Sequence, residues 1–539
     1  MSLLIEEVRP KTKERLTREV ARRRTIAIIS HPDAGKTTLT EKLLLYAGAV
    51  ELAGAVRARK NQRNATSDWM AMEQERGISI TASALEMEFQ GFRINLLDTP
   101  GHQDFSEDTY RTLMAVDSAV MVLDSAKGIE PQTEKLFHVC RMRRIPILTF
   151  VNKMDHEGRD PLDLLDEIER VLGINAVPMN WPIGTGPWFQ GVYDLRGQRV
   201  LHFERTVHGQ HRVPVTVTGM DDPRLATMLG DREHRELREH VELLAGAGEA
   251  FDSESFLRGD VTPVFYGSAL NNFGVEAFLE ALLSLAPAPY PRQSDRGLID
   301  PTDQTFTGFV FKVQANMDPR HRDRMAFVRI CSGQFQKDMS VHHQRLGRDV
   351  RLSRAFRLFA RDREPIEEAF PGDVIGVVSP GLFAVGDTIT TGEPVRFPGI
   401  PRFAPEHFGI LINRDIIRYK QFQKGLTQLE EEGAVQVFYP QGKLRREPVL
   451  AAVGELQFEV VLSRLREEYG AAARLERLPY TYARWVAGPA GVIERMALSS
   501  SRTLRCTDRE DRTVLLFLSK WDLEYCQKQN PDLAFAEVG

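Results

Sequence analysis

Ile26-Ala-Ile-Ile-Ser-His-Pro-Asp-Ala-Gly-Lys-Thr-Thr38 is the stretch from which the fold is read. The apolar run Ile26 to Ile29 predicts a short buried strand, and Leu39-Thr-Glu-Lys-Leu-Leu-Leu-Tyr46 predicts the helix that follows. A strand, a tight loop, Gly-Lys-Thr and a helix make the layout of a phosphate-binding P-loop. Free backbone N–H groups at the helix start face the phosphate oxygens, and the helix dipole favours an anion there. Ser30, His31, Pro32, Asp33, Ala34, Gly35, Lys36, Thr37 and Thr38 are therefore the candidate phosphate-binding residues. Lys36 has the reach for the β- and γ-phosphates, and the Thr37 hydroxyl suits Mg²⁺. Ser30 stands where the motif has its first glycine, so these residues alone leave an ordinary glycine-containing βα turn as an alternative.

The chain has 539 residues, enough for three or four domains. With 42% hydrophobic and 27% charged residues, it has the composition of a soluble globular protein. No apolar run has the length of a membrane span, and Met1 to Arg24 lacks the apolar core of a secretory signal. Four scattered cysteines, Cys140, Cys331, Cys506 and Cys526, form no C-x-x-C pair, and a reducing cytoplasm is the expected compartment. The net charge of −5 advertises no nucleic-acid partner. Two segments are locally basic: Arg9 to Arg24, and the run Arg345, Arg348, Arg351, Arg354, Arg357, Arg361 and Arg363. Such runs are usually solvated faces, although an RNA partner would use them for phosphate contacts.

The first 24 residues read as a basic helical segment. Residues 25 to about 155 alternate apolar strands (Arg93 to Leu97, Ser118 to Leu123, Ile145 to Val151) with helical runs such as Gln132 to Arg144, the pattern of a doubly wound α/β domain. Residues from about 156 to 260 interrupt it, with Pro, Gly and Trp clustered in Asn180 to Asp194, and read as an inserted subdomain. The pattern resumes at Val261 to Tyr266 and closes with a helix over Gly274 to Leu285, so the domain spans 25–287. Pro287-Ala-Pro-Tyr-Pro291 is a linker by composition. Residues 300–398 read as a β-barrel of short alternating strands. Residues 400–539 read as an α+β module of split βαβ type, with helices near Tyr419 to Glu432 and Glu455 to Tyr469 and no internal repeat.

Four further constellations follow the P-loop in the order that a GTPase requires. Ser79 in Arg76-Gly-Ile-Ser79 offers a hydroxyl that completes a Mg²⁺ shell when the γ-phosphate is present. Asp98-Thr-Pro-Gly-His102 follows a strand: Asp98 suits Mg²⁺ through water, Gly101 admits a backbone amide to the γ-phosphate, and His102 is placed to orient the attacking water. In Asn152-Lys-Met-Asp155, the aspartate carboxylate can accept from N1 and N2 of guanine, which adenine does not offer. Gly267-Ser-Ala269 places a backbone amide near the guanine O6. Together they make Asp98, Thr99, Pro100, Gly101, His102, Asn152, Lys153, Met154, Asp155, Ser268 and Ala269 the remaining candidate nucleotide contacts, with GTP/GDP and Mg²⁺ as cofactors.

These motifs resemble those of translational GTPases, whose D-T-P-G is followed by His rather than Gln. The insertion, with Pro182-Ile-Gly184 and Gly191-Val-Tyr-Asp194, resembles that of elongation factor G. Ser30, Pro32-Asp-Ala34, Asp318-Pro-Arg320, Arg351-Leu-Ser-Arg354 and Gly454-Glu-Leu-Gln457 resemble the bacterial peptide chain release factor 3 family, over about residues 10 to 530. The resemblance implies a monomeric, cytoplasmic, ribosome-stimulated GTPase that promotes departure of class I, codon-reading release factors after peptide release, with no membrane role. It also implies that Pro32 and Ile78 flank His102 as an apolar gate, with fixing of the loop backbone as the alternative task of Pro32. Elongation factor G carries further domains, so termination is the expected role. The chain has no Gly-Gly-Gln tripeptide, and peptidyl-tRNA hydrolysis is not expected of it. An elongation- or protection-type ribosomal GTPase and a non-ribosomal GTPase switch are the competing expectations.

Overall fold

The computed structural model describes residues 13–48, 79–202, 219–220, 222–247, 250–315, 324–359, 362–378, 381–400, 404–441, 447–498 and 502–537. Its first domain is built on a twisted sheet whose neighbouring strands run Ser83–Phe89, Phe92–Asp98, Arg23–Ser30, Ser118–Asp124, Ile147–Asn152, Val261–Tyr266 and Asn175–Pro178. Only the first of these is antiparallel to its neighbour. Such a sheet is covered on both faces, which explains its continuous apolar strands. Ile26 and Ile28 face helices Lys36–Tyr46 and Val275–Leu285 through Leu39, Leu43, Phe278 and Leu282. Ala27 and Ile29 face the other way, toward Leu113, Leu136 and Phe137 of helices Ser106–Leu113 and Pro131–Met142.

The strand begins at Arg23, inside the segment expected to be helical; the helix occupies residues 13–21. Two arginines enter a buried strand because both are paired: Arg23 Nε donates to Asp373 at 2.8 Å and Arg23 Nη1 to Glu19 at 2.6 Å, while Arg24 donates to the carbonyls of Ala21 and Leu283. The insertion expected at about 156–260 also divides. Helix Pro161–Leu172 precedes strand Asn175–Pro178, which pairs with Val261–Val264 and so still belongs to the main sheet. The separate unit starts with the meander Asn180–Ile183, Gly191–Asp194 and Arg199–His202, to which helix Asp231–Ala247 adds His240, an acceptor for the Trp181 indole N–H at 3.2 Å.

After the linker, antiparallel strands enclose an apolar core of Phe306, Val310, Val328, Val341, Ile375 and Ile389. This β-barrel domain is joined to the first sheet by the pair Phe359 and Leu85. Two arginines tie the two domains: the buried Arg329 Nη2 lies 2.6 Å from Asp117 Oδ2, and Arg292, just past the linker, donates to the carbonyls of Met114 and Val116. The basic run on the barrel is partly neutralised, Arg345 by Asp387, Arg351 by Asp338 and Arg357 by Glu86.

The C-terminal module holds two split βαβ units instead of the one expected. The first is His407–Asn413, helix Tyr419–Glu432, Gln436–Pro440, Val449–Ala452, helix Glu455–Glu467 and Ala473–Leu478. The second is Tyr482–Ala487, helix Ala490–Glu494, Thr503–Thr507, Thr513–Phe517, helix Lys520–Gln529 and Ala534–Ala536. Each orders its strands fourth, first, third, second, and the two meet edge to edge at Tyr439 with Thr507, making one eight-stranded sheet. The repeat escapes the sequence because its counterpart to the first long helix is only five residues, too short for a helical period to register. No helix among the described residues is long and apolar enough to cross a membrane.

Candidate functional site

Four loops meet at the C-terminal ends of the central strands, and Asn152 fastens three of them together. Its Nδ2 donates to the carbonyl of Ala34 at 2.8 Å, and its Oδ1 accepts the N–H of Ala269 at 2.8 Å. Both polar atoms of this buried side chain are thereby engaged by backbone, on the phosphate loop and on the Ser268-Ala269 loop. The sequence reading made Asn152 a base contact; the structure shows its side chain tying two loops together. Gly35 follows from the same contact. Its φ is +91°, and a Cβ there would overlap the Asn152 amide.

Ser30 is an ordinary strand end. Its Oγ donates to the carbonyl of His31 at 2.8 Å, and the left-handed residues of the loop are Asp33, with φ +66°, and Gly35. The first glycine of the common motif has no positive φ to serve here, so a serine fits that position without strain. His31 is buried, with Nδ1 3.5 Å from the Thr133 hydroxyl and Nε2 3.5 Å from Glu130. Burial holds its imidazole below the ordinary value, against the pull of Glu130 and Asp124. Pro32 and the carbonyl of His31 line the approach to Gly101, so the Asp98-Thr-Pro-Gly-His102 loop lies against the phosphate loop.

Lys36, at the first turn of its helix, points into the site. Its Nζ lies 3.0 Å from Asp98 Oδ1 and also donates to the carbonyl of Thr99. Asp98 Oδ2 is buried and has no hydrogen-bond partner among the described residues. Thr99 Oγ1 donates to Ile28 at 2.6 Å, and Pro100 accepts from Thr109 at 3.2 Å, which fixes the loop. Thr37 and Thr38 are half-buried on the same helix, and Ser79 is half-buried with contacts of its own. Arg76 to Ile78, and with Ile78 the apolar gate, lie outside the described residues.

On the base side, Met154 N–H donates to Gly267 at 3.1 Å and joins the Asn152-Asp155 loop to the Ser268-Ala269 loop. Lys153, at φ +68°, places Nζ 2.8 Å from Asp124 Oδ2. Burial pushes the Asp124 carboxyl up, but the hydrogen bonds from Lys153 and from the N–H of Ala126 outweigh it and leave it below the usual range. Asp155 Oδ2 accepts from Asn271 Nδ2 at 2.7 Å, whereas Asp155 Oδ1 is buried with no partner among the described residues. Asn271 was not legible beforehand; it stands two residues past Ala269, where only the folded loop brings it to Asp155.

His102 is partly exposed and caps a short helical turn. Its Nδ1 lies 3.2 Å from Asp104 Oδ1 and 3.3 Å from the Asp104 N–H. Asp104 Oδ2 in turn accepts the Leu456 N–H at 2.7 Å, from the first turn of the C-terminal helix Glu455–Glu467. The motif Gly454-Glu-Leu-Gln457 thus sits beside the phosphate-facing loop, a site role that its sequence context does not announce.

A parallel-sheet P-loop domain with these four loops, a barrel and paired α+β units defines the class: a GTPase of the translation-factor type. The family model described as Elongation factor Tu GTP binding domain matches residues 21–288, Elongation factor G domain 2 matches 305–392, and Class II release factor RF3, C-terminal domain, matches 397–527. Peptide chain release factor 3 of Gloeobacter violaceus is 56% identical over 525 residues, covering 97% of this chain and 98% of that protein. That of Symbiobacterium thermophilum is 56% identical over 520 residues, covering 96% and 98%. The chain belongs to the peptide chain release factor 3 family and is a GTP-hydrolysing factor of translation termination. A crystal structure of a Thermus thermophilus protein shares the fold, with a TM-score of 0.68 at 24% identity, over 87% of this chain and 71% of that one.

Proposed function

We propose that this chain binds the ribosome with GTP, promotes departure of a class I release factor after peptide release, and leaves once GTP is hydrolysed. The observation that carries the guanine reading is the buried, unpartnered Asp155 Oδ1 on the loop that Asn152 ties to the phosphate loop. An acceptor left without a donor in a buried site suits a base that brings N–H groups, and Asn271 holds the other oxygen in place. Asp33 to Thr38 and the Gly101 amide receive the phosphates, with Lys36 neutralising them; Lys153 lines the base beside Asp124. Asn152 orders the loops, and the Ser268-Ala269 backbone contacts the base edge.

The residues also fit Mg²⁺. Asp98 Oδ2 is a buried acceptor without a partner among the described residues, a fit for a metal-bound water, and Thr37 and Ser79 supply hydroxyls. When bound, the ion neutralises charge developing on the phosphate oxygens. His102 orients the attacking water; the new bond forms from water oxygen to the γ-phosphorus, and the bond to the β-phosphate oxygen breaks, giving GDP and phosphate. We place the protein in the cytoplasm as a monomer; its four cysteines are buried and unpaired, as suits a reducing compartment.

The test is release-factor dissociation from ribosomes after peptide release, with GTP, with a non-hydrolysable analogue and with neither. Departure is expected with GTP and with the analogue, and the chain itself should stay bound only with the analogue. Equal dissociation in all three arms would overturn the reading. His102→Ala should bind GTP within about twofold of the parent and lose at least about a hundredfold of ribosome-stimulated turnover.

A further inference from the structure

The helix that follows His102 is held along one face by the C-terminal module. Asp104, Glu107 and Arg111 recur at helical spacing. Asp104 Oδ2 accepts from the Leu456 N–H, Glu107 Oε1 accepts from Gln436 Nε2 at 3.1 Å, and Arg111 donates to the carbonyls of Glu432 and Gly433, each at 3.0 Å. Ile80, Phe105 and Val460 form a small apolar cluster at the same seam. Gly454 is forced by the contact, since a Cβ there would overlap the Asp104 carboxylate.

Of the seam's polar residues, Asp104 is the one that also bonds to His102. Two groups of the same residue compete for His102 Nδ1. The Asp104 N–H would donate to an unprotonated Nδ1; the carboxylate Oδ1 would accept from a protonated one. The carboxylate is the stronger partner because it is charged. Burial pushes this carboxyl up, but the hydrogen bonds from His102 and Leu456 outweigh it and keep it below the usual range, hence ionised at neutral pH. With Nδ1 carrying the proton, Nε2 presents its lone pair, the form that accepts a hydrogen bond from water.

We propose that Asp104 is the positioning residue for His102 and that the C-terminal module sets it, so that GTP hydrolysis depends on where that module sits. Leu456 fixes Oδ2, which aims Oδ1 at the imidazole and selects the tautomer that can order water. When the module swings away, the N–H leaves, the carboxylate turns to solvent, and His102 loses its orienting acceptor. The inference rests on the reading of His102 as the water-ordering group.

Gly454→Ala tests it from outside the GTPase domain, and Asp104→Asn tests it within, keeping the side chain's size. Both are measured by ribosome-stimulated kcat, by KM for ribosomes and by GTP Kd, alone and combined with His102→Ala. Each single variant should lose at least about tenfold in kcat, with ribosome KM and GTP Kd within about twofold. In the His102→Ala background neither should lower the residual rate further, since residues acting as a unit are non-additive. Normal kcat in both variants, a loss seen only as raised ribosome KM, or full multiplication of effects with His102→Ala would each overturn the proposal. Normal stimulated turnover in His102→Ala itself would overturn the reading of His102 instead, so the two failures are distinguishable.

Discussion

Asn152→Ala is the perturbation that separates a tie between loops from a contact with the base. Truncation leaves the Ala34 carbonyl and the Ala269 N–H without their partner, both in buried surroundings. An orphaned buried polar group costs about 1–3 kcal/mol, so the pair amounts to about 2–6 kcal/mol. Part of this is a loss of stability, read from urea unfolding by linear extrapolation. Part falls on binding, because nucleotide must then order two slack loops; about 3 kcal/mol corresponds to roughly a hundredfold in Kd. The decisive assay is the ratio of affinities for guanosine triphosphate and its 7-deaza analogue, which lacks the N7 acceptor to which an asparagine amide would donate. Asn152→Ala should weaken both nucleotides together and leave their ratio within about twofold. A collapsed ratio with unchanged stability would refute the assignment and restore Asn152 to the base.

Three other outcomes follow from the geometry. Asp155→Asn should shift preference from GTP toward xanthosine triphosphate by at least about tenfold, because Oδ1 or its neighbour becomes a donor; unchanged selectivity in a competition assay would exclude Asp155 as the reader of the base. Asp117→Ala should cost about 3–5 kcal/mol of stability by stranding the buried Arg329, which lies 2.6 Å away; urea unfolding followed on both domains checks it. His31 gives a pH dependence. Its folded pKa is depressed, so its contribution to stability is complete above the ordinary histidine value and is lost as pH falls through the lowered one. Glu130, Asp124, Lys127 and Lys153 surround it. Between pH 6.5 and 5, the stability of the parent relative to His31→Gln should fall by at most about 1.4 kcal/mol per pH unit, measured by urea unfolding, and a flat difference would exclude the effect.

The phosphate and base loops were legible because each begins where an apolar strand stops, and a parallel sheet gathers such ends on one side. Their order in the chain was enough to assemble Lys36, Asp98, Asp155 and Ala269. The task of Asn152 was not legible, because its two partners are backbone groups 118 and 117 positions away, and backbone carries no letter. Nor was the place of Gly454, whose need for glycine comes from Asp104 in another domain. The buried Arg23 and Arg24 misled the strand boundary, since pairing with Glu19 and Asp373 and with carbonyls permits charges where the sequence pattern expects none. The second split βαβ unit was hidden by its five-residue helix.

The eight-stranded C-terminal sheet has a mechanical consequence. Its halves share one apolar core, in which Phe408, Ile410 and Phe438 of one pack with Trp485, Val514 and Leu516 of the other. Two units on a common core turn as one plate. At about 4.8 Å per strand gap the plate is roughly 34 Å wide. A push on the second unit, where the exposed rings of Trp521 and Tyr525 stack, is therefore passed through this core to the unit that carries Leu456.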